Sequence, residues 1–196
     1  LDHLVETKYL ANSNINILYL SNMIKEKGYF AFLQQVKKLQ RKSSRFHFHF
    51  AGGWKSQQDK DEFFSYIKNN DLTNSVTFHG FVGGEKKSEL LRKAHLFVFP
   101  SRYPNEAFPL SVLEALSYGI PVVASDEASI PQILDFEHSL VVKDLRCLYD
   151  AIDEALDSLI NVESSKFCRS RYLANYSMES FEGKFVEVLK LQCLSQ

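Results

Sequence analysis

Short apolar runs alternate with longer amphipathic segments along this chain, and that alternation constrains the fold more than any other feature. Short apolar runs rich in β-branched and aromatic residues are typical of buried strands. We predict strands within residues 15–20, 45–53, 75–81, 95–100, 121–125 and 139–142. Apolar residues at helical spacing between them predict helices over 28–42, 57–70, 85–94, 109–118 and, more briefly, 128–134.

This order predicts βαβ units, and therefore an α/β domain with a Rossmann-like parallel sheet and helices on both faces. Helical periodicity continues after residue 145, with a further pair of helices over 164–175 and 178–192. A chain of 196 residues fits one ordinary domain. Sheets of this kind bind ligands at the carboxyl ends of their strands. We therefore expect the ligand-binding and catalytic residues within 21–22, 51–53, 80–81, 100–108 and 125–129.

Composition excludes several classes of protein. The net charge is -1 and no basic run dominates, which argues against a nucleic-acid-binding protein driven by bulk electrostatics. No apolar run has the length of a membrane span, and no signal-peptide pattern opens the chain. The three cysteines include no CxxC pair, which favours a reduced cytosolic compartment. Because the chain begins at Leu1 rather than Met, we expect a piece of something longer.

The stretch PNEAFPLSVLEALSYGIPVVAS, residues 104–125, places two carboxylates among apolar neighbours. Pro109 favours a helix start and Gly119 a helix end. Glu106 then lies in the loop before the helix and Glu114 in its second turn. A helix N-terminus suits a phosphate, and the two carboxylates could accept hydrogen bonds from sugar hydroxyls. The alternative is that Glu106 only interacts favourably with the helix dipole and that Glu114 lies on a solvated helix face.

Three other features can be explained by ordinary packing or solvation rather than by a functional role. His47 and His49 face the same side of a strand, and a hydrogen-bonded strand face is a better interpretation than a metal pair. Trp54 either covers the mouth of a site or packs, and we favour packing. Four basic residues of one predicted helix are interpreted as a solvated face: Lys86, Lys87, Arg92 and Lys93.

The segment SRYPNEAFPLSVLEALSYGIPVVASDEASIPQIL resembles the signature segment of the retaining glycosyltransferases of family 4. Further segments resemble other parts of that family in the same order: YLSNMIKEKG, FHFAGGW, VTFHGFVGGEKKSELLRKAHLFVFPS and NYSMESFEGKFVEVLKL. The resemblance covers nearly the whole chain. It implies the C-terminal, donor-binding half of a GT-B glycosyltransferase, which transfers a sugar from a nucleoside diphosphate to an acceptor hydroxyl, in polysaccharide or glycoconjugate biosynthesis.

The resemblance also implies roles for single residues. Glu106 and Lys27 would be catalytic: Glu106 would bind the donor sugar, and Lys27 would neutralise the diphosphate. Glu114 would hold the ribose hydroxyls. The remaining donor-binding positions would be Asn22, Gly52, Gly53, Gly80, Phe81, Ala107, Phe108 and Leu110. The only cosubstrate implied is the nucleotide sugar, with no obligatory metal or other cofactor.

Two positions depart from the family pattern. Asn22 stands where the family usually has an arginine, and Pro109 where it usually has a glycine. Since these changes remove a charge and an amide donor, we expect the isolated chain to bind a donor weakly. We also expect it to be inactive alone, because the acceptor site would belong to an N-terminal domain. They also keep open a second hypothesis, a non-catalytic nucleotide-binding or protein-interaction module on the same fold.

The resemblance implies a division of the chain. Residues 1–14 would be a linker from an N-terminal acceptor-binding domain, 15–175 the nucleotide-sugar-binding domain, and 176–196 a C-terminal helix packing back toward the other domain. We expect a cytoplasmic protein, and the full enzyme could associate peripherally with the inner face of the membrane.

Overall fold

A parallel sheet forms the centre of the computed structural model, which describes Tyr9 and residues 14–193. The predicted linker, residues 1–14, lies outside the described residues except for Tyr9 and Asn14. Six strands pair in parallel in the order β3-β2-β1-β4-β5-β6. They are β1 (Ile15–Leu20), β2 (Phe46–Ala51), β3 (Val76–Phe78), β4 (Leu96–Phe99), β5 (Val122–Ser125) and β6 (Ser139–Val142). This sheet confirms the Rossmann-like prediction, and the strand order reverses between β1 and β4, where such sheets bind ligands.

Eight α-helices connect or follow these strands within the described part of the chain. They are α1 (Tyr29–Lys42), α2 (Gln57–Asn69), α3 (Gly84–Lys93), α4 (Leu110–Ser117), α5 (Ile130–Ile133), α6 (Leu148–Ser158), α7 (Val162–Asn175) and α8 (Met178–Cys193). Helix α1 packs against α6, and α4 packs against α7. Members of both pairs also contact β4, so the central strands are covered by helices.

The sequence of β2, FHFHFA, explains how one strand contributes to the core and to a polar face. Its phenylalanines are buried and its histidines half-buried, which is the period-two pattern of a strand. Phe48 and Phe50 contact the ring of Phe32 on α1. The histidines therefore lie on the opposite face of the sheet.

The helix after β4 begins one residue later than the sequence predicts. Pro109 is not the first helical residue but the N-cap, with extended backbone at φ -76° and ψ 98°. Its carbonyl oxygen accepts the Val112 N–H at 3.0 Å. Proline fixes only φ, and this φ is compatible with both positions, so ψ decides between them.

Candidate functional site

A cleft of about 180 Å³ opens where β1 and β2 end and α4 begins. It contains four of the predicted donor-binding residues: Asn22, Gly52, Phe81 and Glu114. The rest of its wall is formed by Leu20, Ser21, Ala51, Val82, Lys87 and Ser111. These residues come from four separate segments of the chain, and the parallel sheet joins them because it places the carboxyl ends of its strands on one edge.

The Glu114 carboxylate in this cleft is paired with Lys87. The Lys87 ammonium donates to Oε1 of Glu114, joining α3 to α4. The two side chains are 32% and 36% exposed, so a ligand can reach both. Lys87, which we interpreted as part of a solvated helix face, thus pairs with a residue of the neighbouring helix at the wall of the cleft. Arg92 and Lys93 do lie on such a face, where they pair with Glu85 and Glu89 of their own helix.

The two predicted catalytic residues contact each other in a second cluster. The Lys27 Nζ lies 3.3 Å from Oε2 of Glu106, and the side chains are only 17% and 8% exposed. The same Nζ lies 5.1 Å from the centre of the Tyr103 ring, a cation–π distance. Lys27 follows β1 and Glu106 follows β4, and these strands are neighbours in the sheet. The cluster is therefore on the same edge as the cleft.

Hydrogen bonds within the loop after β4 hold Glu106 in place. The buried Ser101 hydroxyl lies 3.4 Å from Oε2 of Glu106 and accepts the Tyr103 N–H at 3.2 Å. The Glu106 N–H donates to the Tyr103 carbonyl at 3.0 Å, which closes a turn. The Ser129 hydroxyl donates to the Ala107 carbonyl at 2.8 Å and ties this loop to the one after β5.

Two other predicted residues of this loop point toward solvent. Phe108 is 46% exposed and its ring centre lies 6.3 Å from that of Tyr176, at the end of α7. Leu110, the first residue of α4, is 68% exposed. Phe108 precedes the N-cap Pro109 and Leu110 follows it, so the backbone that the resemblance assigns to the donor flanks the start of α4.

The glycine pair after β2 has two different roles. A Cβ on Gly52 would lie 1.7 Å from the Ser21 carbonyl oxygen, so this glycine allows the loops after β1 and β2 to approach each other. A Cβ on Gly53 would meet nothing within 4 Å, which leaves room beside it. Gly80 has φ +68° and turns the chain after β3, so that Phe81 is 81% exposed at the rim of the cleft.

The histidines of β2 belong to a hydrogen-bonded strand face, as expected. Nδ1 of His49 lies 2.9 Å from Nε2 of His79, and its Nε2 lies 3.1 Å from Oδ1 of Asn16. Burial, followed by the nearby His47, His79 and Lys93, lowers the pKa of His49 to about 3. Within the described residues, no group of three or more His, Cys, Asp and Glu side chains is arranged to hold a metal ion.

The Trp54 ring packs, as we favoured from the sequence. It contacts the rings of Tyr29, Phe63 and Phe78 at centroid distances of 5.3, 5.4 and 5.3 Å. It therefore belongs to the aromatic core that supports the loop after β2.

Comparison with known proteins identifies the family. The family model described as "Glycosyl transferases group 1" matches residues 7–175, most of the chain. The chain belongs to this family. One relative of this group 1 domain is the O-antigen chain mannosyltransferase B of Escherichia coli, 29% identical over 117 residues, which are 60% of this chain and 30% of that protein. The chain spans about a third of the length of the first curated relatives it matches.

Solved structures share the fold of this group 1 domain. HepE of Anabaena, in complex with UDP-glucose, matches with a TM-score of 0.75 at 19% identity, over 96% of this chain and 52% of that chain. The C-terminal domain of a group 1 family protein (LpcC) of Francisella tularensis matches with a TM-score of 0.71 at 18% identity, over 90% of this chain and 93% of that chain. Within the described residues, no helix has both the length and the apolar character needed to cross a membrane.

Sequence reasoning assigned no role at this site to two basic residues of the group 1 domain. Lys87 is the first, and Arg102 is the second. The Arg102 guanidinium donates to the carbonyls of Asp126 and Lys143, which follow β5 and β6. It lies 3.7 Å from the Glu127 carboxylate. The one sequence feature that pointed to Arg102 was its position within the predicted 100–108 segment. Nothing in the sequence distinguished Lys87 from its basic neighbours.

Proposed function

We propose that this chain is the C-terminal, donor-binding domain of a retaining glycosyltransferase of family 4 that uses a nucleoside-diphosphate sugar. The observation that carries the proposal is the arrangement of two separate carboxylates at one edge of the sheet. Glu106 pairs with Lys27 beside the start of α4, and Glu114 lines the cleft further along the same helix. A nucleotide sugar has a sugar at one end of its diphosphate and a ribose at the other, so it presents hydroxyl groups to both carboxylates.

Each part of the donor has a partner in this arrangement. The ribose hydroxyls donate to Glu114 in the cleft, and the base lies at the Gly80–Phe81 turn. The diphosphate lies at the N-terminus of α4, beside Lys27, where backbone N–H groups and the helix dipole favour an anion. The donor sugar then extends toward Glu106. HepE, which shares the fold, has been solved with UDP-glucose, which supports a nucleotide sugar as the ligand.

Transfer breaks the bond between the anomeric carbon and the diphosphate, and negative charge develops on the departing diphosphate. Lys27 and the amides at the start of α4 are positioned to stabilise that charge. Glu106 holds the sugar by its hydroxyls while the acceptor hydroxyl attacks from the face that the diphosphate leaves and gives its proton to the departing diphosphate. The proposal includes no obligatory metal, because these protein groups supply the positive charge.

The acceptor site belongs, in this proposal, to an N-terminal domain of a longer protein. Three side chains of α8 support a docking face for that domain: Met178, Phe181 and Phe185 are 73%, 62% and 54% exposed. The match to an isolated C-terminal domain from Francisella tularensis supports the same placement.

The relative named for O-antigen chains supports a role in polysaccharide synthesis. The thiol of Cys147 is free, which fits a reducing, cytoplasmic compartment, with peripheral association at the inner face of the membrane.

Calorimetric titration with UDP, GDP, ADP and their sugar conjugates tests the proposal. We expect weak binding of one nucleotide series. Because a hydrogen bond to a charged group contributes about 1.5–3 kcal/mol, Glu114→Ala and Lys27→Ala should each weaken binding about 10- to 100-fold. Glu85→Ala is the control, since that side chain is 79% exposed on α3 and pairs with Arg92.

Two outcomes contradict the proposal. No binding of any nucleotide at millimolar concentration would favour the non-catalytic protein-interaction module on the same fold. Detectable sugar transfer by this chain alone would contradict the assignment of the acceptor site to another domain.

A further inference from the structure

Lys87 is the one basic side chain among the described residues that line the candidate cleft. We propose that Lys87 is a positioning residue, which orients the Glu114 carboxylate toward the ribose and so makes the cleft prefer ribonucleotides to 2′-deoxyribonucleotides. This inference rests on the proposed function, because it assumes that the ribose binds at Glu114.

The Lys87–Glu114 contact differs from the other ion pairs of α3. Lys93 and Arg92 bind carboxylates of their own helix, at Glu89 and Glu85, and their acidic partners are 55% and 79% exposed. Lys87 instead reaches across to α4, to a residue 27 positions away. Exposed pairs within one helix contribute little. A pair between two helices at the wall of a cleft fixes the position of both side chains relative to the ligand.

The contact leaves the carboxylate able to accept two more hydrogen bonds. Lys87 donates to Oε1 of Glu114. An ionised carboxylate has about four lone-pair sites on its two oxygens, so the 2′- and 3′-hydroxyls of a ribose can both donate to it while Lys87 stays in place. The ammonium fixes the rotamer of Glu114. It also offsets a negative charge that would otherwise repel the nearby diphosphate.

Removal of Lys87 therefore affects geometry as well as charge. A carboxylate without this partner can rotate among staggered conformers, and only some of them present both oxygens to the ribose. Binding to the 2′-hydroxyl then weakens more than binding to the rest of the nucleotide. A lysine that acted only by attracting phosphate would have the same effect on ribo- and deoxyribonucleotides, since both carry the same diphosphate.

The test measures the dissociation constant of the best-binding member of UDP, GDP and ADP, and that of its 2′-deoxy counterpart. The proteins are the unmodified chain, Lys87→Met, Lys87→Arg and Lys86→Met. Met keeps the apolar length of the lysine stem, and Arg keeps the charge. Lys86 is the matched control, because it is the neighbouring lysine and is exposed. Thermal unfolding without ligand checks that the variants fold.

We expect the unmodified chain and Lys86→Met to bind the ribonucleotide about 10-fold more tightly than the 2′-deoxy form, which corresponds to about one hydrogen bond to a charged group. Lys87→Met should reduce this ratio to about 2-fold or less, and Lys87→Arg should restore part of it. Equal losses for both ligands in Lys87→Met, or an unchanged ratio, would overturn the inference and leave the proposed function intact. A ratio near one in the unmodified chain would overturn the inference and also the proposed placement of the ribose at Glu114. No nucleotide binding by the unmodified chain would overturn the proposed function as well.

Discussion

The Lys27–Glu106 pair should contribute measurably to the stability of the fold as well as to the site. The two charges are 3.3 Å apart, and the side chains are 17% and 8% exposed. At this distance, with an effective dielectric constant of about 20, the Coulomb attraction is about 5 kcal/mol before desolvation is subtracted. Desolvation offsets much of this attraction, but removal of one partner leaves the other charge with poor solvation. Such removal costs about 3–5 kcal/mol at fully buried pairs.

The two single substitutions should not be equivalent. Lys27→Met leaves the Glu106 carboxylate, the more buried of the two charges, without its cationic partner. The Ser101 hydroxyl is then its remaining side-chain hydrogen-bond partner among the described residues. We therefore expect a loss of about 3 kcal/mol in the free energy of unfolding. Glu106→Gln leaves Lys27, which is more exposed and lies over the Tyr103 ring, so the loss should be about 2 kcal/mol. The double variant removes both charges together, and its loss should be smaller than the sum.

Urea unfolding of the unmodified chain, the two single variants and the double variant gives the coupling energy through a double-mutant cycle. We expect about 2 kcal/mol of coupling for a partly buried pair. The control is the Lys25–Glu62 pair, which joins the turn that carries Lys27 to α2 and has side chains 45% and 41% exposed. That pair should couple by less than about 1 kcal/mol. A coupling for Lys27 and Glu106 no larger than that of the control would refute the reasoning.

Two further predictions concern the sheet and its loops. Gly52→Ala should lower the free energy of unfolding in urea by about 2 kcal/mol or more, because the new Cβ would overlap the Ser21 carbonyl oxygen. Gly53→Ala is the control and should change it by less than about 0.5 kcal/mol. Equal effects of the two substitutions would contradict the roles assigned to these glycines. His49 has a folded-state pKa of about 3, below its ordinary 6.5, so the unfolded state binds more protons between these values. The free energy of unfolding should therefore fall as pH drops below about 6.5, by up to about 1.4 kcal/mol per pH unit from this group. The urea midpoint, measured at pH 7.5, 6 and 5, should fall less steeply with decreasing pH for His49→Gln than for the unmodified chain. An equal fall in both proteins would contradict burial of the neutral His49 ring.

Local patterns in the sequence were sufficient to predict the elements and the parallel sheet. The alternation FHFHFA identified β2 and placed its histidines on one face. The same reasoning located the carboxyl edge of the sheet, where the cleft lies. The ψ angle of Pro109 was not predictable, because proline fixes φ alone.

Contacts between side chains far apart in the sequence could not be predicted. Lys27 and Glu106 meet because β1 and β4 are neighbours, and the alternation of elements does not specify strand order. The partner of Glu114 depends on how α3 packs beside α4, so Lys87 looked like any other basic residue of an amphipathic helix. The roles that we propose for Glu106 and Lys27 came from the resemblance and stay predictions.

An NMR titration of the isotopically labelled chain with UDP, GDP and ADP tests most directly whether the carboxyl edge of the sheet binds a nucleotide. The account predicts that one nucleotide shifts the amide resonances of Phe81, Lys87, Ser111 and Glu114 most strongly, since these residues line the cleft. The amides of Ile15, Phe46 and Val76, at the amino ends of β1, β2 and β3, should not shift. Shifts confined to the amino ends of the strands, or no shifts at millimolar nucleotide, would contradict the account.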